Sequence, residues 1–172
     1  GMYSVAELTE KVTAALEQLP YDRQPQGLYA PIKYVLSLGG KRIRPVLMLM
    51  AYNMYREDVD RIMPVALGLE VYHNFTLLHD DLMDRADVRR GKPCVHKVWN
   101  DNTAILSGDN MLVMAYQMLS RCPSSALPSV ISIFTETALQ IDEGQQSDME
   151  VGQRTDVTER EYLEMIRLKT SV

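Results

Sequence analysis

Apolar residues recur at three- and four-residue intervals along almost the whole 172-residue chain, and hardly anywhere do they alternate as a half-buried strand requires. That periodicity restricts the fold class to all-α. Ser4 with Glu7 reads as a capping box that opens a first helix, carried by Val5, Leu8, Val12, Leu16 and Leu19 to the break at Pro20. A second helix is expected over 27–38, stopped by Gly39 and Gly40, and a third from Pro45. A fourth opens near Pro64 and runs through VALGLEVYHNFTLLHDDLMD to Asp84. After a loop at 89–93, residues 101–120 read as a helix, and Pro123 and Pro128 bracket the start of another that reaches about Asp148. Thr158 with Glu161 caps a last helix, still amphipathic at Val172 and without a C-cap glycine, so a longer polypeptide is expected.

No linker, repeat or low-complexity segment divides residues 1–172, which read as one all-helical domain, incomplete at the C-terminus. At 46% hydrophobic the chain has material for a substantial core. A net charge of -5 argues against a nucleic-acid surface, yet basic residues gather at Lys41, Arg42 and Arg44 and again over 85–97, as a small anionic ligand would ask. The longest apolar run, 45–52, falls far short of the roughly 18 to 20 residues of a membrane span, so no stable membrane insertion is expected. Cys94 and Cys122 have neither metal-site nor disulfide-framework spacing and read as structural, in keeping with a cytoplasmic location. Gly1 ahead of Met2 reads as a tag-cleavage remnant.

The stretch LLHDDLMDRADVRRGKP at 77–93 puts acids and bases side by side. On a helix Asp80 and Asp84 share a face and Asp81 lies about 100° round from both. Three like charges so close cost a few tenths of a kcal/mol per pair unless something cationic offsets them. A hard divalent ion is the natural candidate, because Mg²⁺ takes one or two carboxylates and completes its shell with water and phosphate oxygens. Arg89, Arg90 and Lys92 would then hold phosphate directly, arginine supplying a planar fork.

DDLMD followed by RRGKP resembles the first aspartate-rich motif of the trans-isoprenyl diphosphate synthases, the polyprenyl synthetase family. Four further segments match in order. GGKRIRP at 39–45 is similar to the segment that holds the diphosphate of isopentenyl diphosphate, which implies Lys41 and Arg44; His73 falls at the family's isopentenyl-site histidine. Arg89 matches the arginine facing the allylic diphosphate, and Arg90 the one facing isopentenyl diphosphate. GQQSDM at 144–149 resembles the GQxxD helix, bringing in Gln145 and Asp148, and RLKTS at 167–171 resembles the segment whose Lys169 and Thr170 line the allylic site.

The resemblance implies an isoprenoid-synthase helical bundle, of which this chain is the N-terminal half or slightly more, and a cytoplasmic homodimer. Its reaction is the head-to-tail condensation of isopentenyl diphosphate with an allylic diphosphate, using Mg²⁺ or Mn²⁺. Asp80 and Asp84 are the implied metal ligands, Asp81 acting indirectly, and Asp80, Asp81, Asp84, Arg89 and Lys169 the implied catalytic set. A bulky aromatic five residues before the motif goes with short products in that family. Phe75 holds that position, with Tyr72 behind it and the small Thr76 beside it, so a C15 to C20 product is expected. The uninserted DDxxD spacing, shared by long-chain enzymes, points the other way. The family's second aspartate-rich motif has no counterpart here, and the 172 residues alone are expected to be inactive.

Two other functions compete with this one. A noncatalytic partner subunit would have no reason to keep an intact DDLMD and RRG, and a terpene cyclase would lack the GGKRIRP segment. His79 reads as a helix-packing residue, His96 as a surface residue of a loop, and the eleven methionines as core.

Overall fold

The structure, a computed structural model, describes residues 1–152 together with Glu164 and Arg167. The expected helix after Thr158, and with it Lys169 and Thr170, lies outside the described residues. The chain divides into two compact units, Gly1–Ser124 and Ser125–Val172. Within the first are α1 (Val5–Glu17), α2 (Gln26–Ser37), α3 (Ile43–Asn53), α4 (Met63–Met83), the short α5 (Val95–Val98) and α6 (Asp101–Leu119). The second contains α7 (Leu127–Gly152). Among the described residues the only strands are Val88–Arg89 (β1) and Lys92–Pro93 (β2), which pair antiparallel. The all-α expectation therefore holds.

Helix α1 starts where the capping box requires, with Ser4 Oγ accepting from the Glu7 amide at 3.1 Å and the Glu7 carboxylate accepting from the Ser4 amide at 2.9 Å. Pro45 sits in the first turn of α3 rather than opening it, since the helix begins at Ile43. Leu8, Val12, Leu16, Ile32, Leu49 and Val71 are each almost wholly removed from solvent and form the inner stripe of α1 to α4.

The centre of the first unit is the antiparallel pair α4 and α6. Gly68, near the start of α4, leaves room for the Ala115 carbonyl and the Leu119 side chain near the end of α6, each 3.1 Å from where a Cβ would stand. At the other end the relation is reversed: Gly108 of α6 leaves the space that the His79 ring of α4 fills. Gly68 admits the α6 backbone at one end and Gly108 admits the His79 ring at the other, and these two contacts fix the register of α4. The last turn of α4 carries the aspartates, so this packing positions the candidate site.

Candidate active site

The turn between α2 and α3 supplies the first basic segment. Gly39 (φ +87°), Gly40 (φ +122°) and Arg42 (φ 52°) all lie in the left-handed half of backbone space, which an arginine occupies only when its surroundings hold it there. The Arg42 guanidinium donates to Glu70 Oε1 at 2.8 Å and to the Leu36 carbonyl, and both side chains of the ion pair are about 5% exposed or less. This corrects the reading of Lys41, Arg42 and Arg44 as one phosphate-facing cluster. Arg42 turns inward because Glu70, on the apolar stretch of α4, needs a partner. Glu70 also accepts from Asn74 Nδ2 at 3.1 Å, and the wholly buried Asn74 leaves its Oδ1 without a partner.

Lys41 and Arg44 stay on the exposed side of the turn. Arg44 Nη1 lies 3.3 Å from His73 Nε2, so two residues 29 apart in sequence meet as expected. Burial, and after it the charge of Arg44, pushes the His73 imidazole below its usual 6.5. The neutral ring offers Nε2 as the acceptor for the arginine.

At the other end of α4, Asp84 caps the helix and its amide donates to the Asp80 carbonyl at 2.8 Å, which keeps these two residues one turn apart on one face. Asp81 is buried and accepts two parallel bonds from Arg89, Nε to Oδ2 at 2.7 Å and Nη2 to Oδ1 at 2.8 Å. Hydrogen bonding to Asp81 raises the Arg89 guanidinium above its usual range. Burial pushes the neighbouring Cys94 thiol up to about 11, with Asp81 adding to the effect, so Cys94 is a protonated structural residue. Its partner cysteine in sequence count, Cys122, is buried as well.

The segment expected as a plain loop is a hairpin. Arg90 (φ 50°) and Gly91 (φ 76°) form its two-residue turn, both with positive φ as the type I′ geometry demands. The left-handed backbone at Arg90 sends its side chain away from that of the extended Arg89. Arg89 accordingly reaches Asp81, while the Arg90 guanidinium lies over Gly40. The hairpin is tied to α2 by Tyr34, whose hydroxyl donates to the Pro93 carbonyl at 2.7 Å. Burial, and then Arg42 and Arg89, depress the Arg90 guanidinium. Among the described residues Lys41, Arg44 and Arg90 have no carboxylate ion-pair partner, whereas Arg42 and Arg89 are each neutralised. Arg44 against the His73 ring, Arg90 near it and the exposed Lys41 three residues before Arg44 make a basic surface suited to an anion with several oxygens.

Tyr72, Phe75 and His79 form a column along α4, with ring centroids 5.6 Å apart for the first pair and 4.8 Å for the second. Tyr72 is buried and Phe75 half-buried. Thr76 spends its hydroxyl on the His73 carbonyl at 2.6 Å. His79 packs between helices as expected, its Nε2 3.1 Å from the Ile105 carbonyl. His96 is a correction: it sits on α5, 8% exposed, because that single helical turn folds inward where the polar sequence around it read as surface loop. Gln145 and Asp148 both lie on α7, half-buried, in the second unit.

The polyprenyl synthetase profile matches residues 25–172, most of the chain and all of the segments just described. The chain belongs to the polyprenyl synthetase family. It is 40% identical over 163 residues to the geranylgeranyl diphosphate synthase of Methanosarcina mazei, covering 94% of this chain and 50% of that protein. It is 37% identical to the geranylfarnesyl diphosphate synthase of Natronomonas pharaonis, covering 98% of this chain and 55% of the relative. A crystal structure of a geranylgeranyl pyrophosphate synthase superposes with a TM-score of 0.91 at 46% identity, over 99% of this chain and 52% of that one. The chain thus spans about half the length of the relatives it matches.

The donor set at the end of α4 fits the family's metal. Among the described residues no group of three or more acidic, histidine or cysteine side chains gathers into a cage. Two oxygen-donor carboxylates beside a diphosphate site are instead what Mg²⁺ uses, since it retains waters and binds through substrate phosphates. Asp80 and Asp84, one turn apart at the end of α4, would be the two carboxylates to hold such an ion, whereas Asp81 is paired with Arg89.

Proposed function

We propose that this chain contributes a diphosphate-binding part of a trans-prenyltransferase active site, in which isopentenyl diphosphate condenses head-to-tail with an allylic diphosphate. One observation carries the reading: the acidic face of Asp80 and Asp84 stands on the same helix as His73, beside which lie Arg44 and Arg90, neither with a carboxylate ion-pair partner among the described residues. Lys41, Arg44 and Arg90 hold the isopentenyl diphosphate, with neutral His73 orienting Arg44. Arg89, aimed by Asp81 through Nε and Nη2, keeps Nη1 for the allylic diphosphate. Family resemblance assigns Gln145, Asp148, Lys169 and Thr170 to that same allylic side.

The difficult step is heterolysis of the allylic carbon–oxygen bond. Asp80 and Asp84 would hold magnesium, which would supply positive charge to the departing diphosphate. Arginines fixed in advance stabilise the same developing charge without having to reorganise. The isopentenyl double bond then attacks, and the departing diphosphate can take the proton that is lost. The apolar length of α4 ahead of Asp80 walls a dry space for the prenyl tail, with Tyr72 and Phe75 as its candidate floor and a C15 to C20 product as the consequence. The geranylgeranyl names among the relatives support C20, the upper end of that range, whereas the geranylfarnesyl names denote C25, one isoprene unit beyond it.

Only one of the family's two aspartate-rich motifs is among these 172 residues, and we expect no turnover from them alone. The test is product chromatography after incubation with isopentenyl and geranyl diphosphates. Mg²⁺-dependent elongation by a polypeptide that joins this chain to a second aspartate-rich motif supports the reading. Its absence from such a polypeptide refutes it, and elongation by the 172 residues alone overturns the inactive-fragment expectation.

A further inference from the structure

Arg90 and Gly40, fifty residues apart, meet face to face. A Cβ placed on Gly40 would stand 2.9 Å from Arg90 Nη2, 3.0 Å from Cζ and 3.4 Å from Nη1, so the whole guanidinium plane lies across the bare backbone of that glycine. No side chain fits between them. We propose that Gly40 is the seat of Arg90: the missing side chain lets the hairpin arginine dock on the turn between α2 and α3, and this contact aims Arg90 at the same anion as Lys41 and Arg44. The proposal rests on the prenyltransferase reading for the identity of that anion, isopentenyl diphosphate, but the docking itself does not depend on it.

Three independent features converge on this contact. The first is the type I′ turn, which holds Arg90 in left-handed geometry and thereby sends its side chain away from the direction taken by Arg89. Asp81 is the second, because its two bonds to Arg89 keep the neighbouring guanidinium from competing for the same place. The third is Arg42, whose buried pair with Glu70 fixes the path of the turn on which Gly40 stands. No ion pair holds Arg90 among the described residues; Arg42 and Arg89 repel its charge, and the attraction of Glu70 and Asp81 is the smaller effect. Shape, then, rather than a counter-ion, keeps Arg90 in place until an anion arrives. Gly40 acts through Arg90 and is a positioning residue.

Gly39 provides an internal control. It too has a positive φ, +87° against +122° at Gly40, but a Cβ there would meet nothing within 4 Å. Gly39→Ala therefore measures backbone strain alone, and Gly40→Ala measures strain plus loss of the seat. The experiment compares Gly39→Ala, Gly40→Ala, Arg90→Ala and Gly40→Ala/Arg90→Ala in this chain, by thermal melting and by calorimetric titration with isopentenyl diphosphate, geranyl diphosphate and inorganic pyrophosphate. Losing an aimed, charge-assisted contact should weaken isopentenyl diphosphate binding by about tenfold in Gly40→Ala, with geranyl diphosphate binding unchanged and Gly39→Ala close to wild type. In the Arg90→Ala background Gly40→Ala should cost no further affinity, and its melting shift should shrink to the part that backbone strain alone causes. If Gly40→Ala does not fold, recovery of its helical circular dichroism on adding Arg90→Ala supports the seat, and a wild-type affinity of Arg90→Ala for isopentenyl diphosphate overturns the aiming role. Equal losses from Gly39→Ala and Gly40→Ala, or the same Gly40→Ala melting shift with and without Arg90, overturn the seat. Wild-type protein that binds none of the three ligands counts against the prenyltransferase reading, and the melting cycle then decides the seat by itself.

Discussion

Asp81 and Arg89 form a two-point ion pair, Nε to Oδ2 at 2.7 Å and Nη2 to Oδ1 at 2.8 Å, across the hairpin that follows α4. The middle carboxylate of the aspartate-rich motif thereby has both oxygens engaged by an arginine. Asp81→Asn retains the shape but loses the charge and one acceptor. We expect it to raise the Michaelis constant for the allylic diphosphate about tenfold, with that for isopentenyl diphosphate unchanged, in an active polypeptide carrying the chain. Steady-state kinetics with each substrate varied in turn check this, and a loss shared equally by both would count against the aiming role.

Asp80→Ala should behave differently. It removes a proposed metal ligand and relieves repulsion with Asp84, so the helical circular dichroism should be kept while turnover falls by roughly a thousandfold or more. A variant retaining more than about a tenth of wild-type turnover at saturating Mg²⁺ would be inconsistent with a ligand role.

The pair Arg42–Glu70 has side chains 5% and 4% exposed, and deleting one partner strands the other charge. Glu70→Ala should cost about 3 to 5 kcal/mol of stability in urea unfolding, and Arg42→Met with Glu70→Leu should recover most of it, because an apolar pair of similar volume carries no desolvation penalty. Should Glu70→Ala unfold at the wild-type midpoint, the burial of this pair is wrong.

His73 links stability to pH. Its folded pKa lies below the ordinary 6.5, from burial first and then Arg44, with Arg90 and Arg89 adding and Glu70 opposing. The unfolded chain consequently binds more protons in the interval between the two values, and stability rises with pH there. The His73 contribution is complete above about 6.5 and declines as pH falls through the interval beneath it. His73→Gln should flatten the difference between denaturation midpoints measured above and below that interval; an unchanged slope would assign it to other groups.

How much of this was legible in the sequence depended on whether the cause was local. Helix periods, the Ser4 capping box and the spacing of Asp80 and Asp84 follow from residues within a turn of each other, and all were readable. Arg42 was not separable from Lys41 and Arg44, because only its left-handed φ turns it inward, although Glu70 in an apolar helix was a signal that some cation had to be buried. The hairpin escaped notice since two-residue strands are too short to show alternation; the Arg-Gly pair at its tip was the available cue. His96 misled for a related reason, α5 being a single turn with no period of its own. The seat of Arg90 on Gly40 joins segments fifty residues apart, and no spacing rule contains it.

The column of Tyr72, Phe75 and His79 leads to the last prediction. At about 1.5 Å rise per residue, Phe75 stands roughly 7.5 Å behind Asp80 and Tyr72 roughly 12 Å behind it, about the distance a growing prenyl tail covers if its diphosphate is held at the aspartates. The rings touch each other at 5.6 Å between centroids, and Phe75 leans on His79 at 4.8 Å, so neither aromatic moves independently. Truncating Phe75 alone should lengthen the product modestly, because Tyr72, buried and still in place, closes the space one turn further on. Removing both should lengthen it more than either single change, since the second ring then no longer limits the tail. Turnover should persist in all three variants, because neither ring touches the diphosphate groups. Chromatography of the prenyl products from Phe75→Ala, Tyr72→Ala and the double variant reads this directly. An identical chain-length distribution in all three would mean that the rings serve only to pack α4, and that the end of the tail is met by another part of the protein.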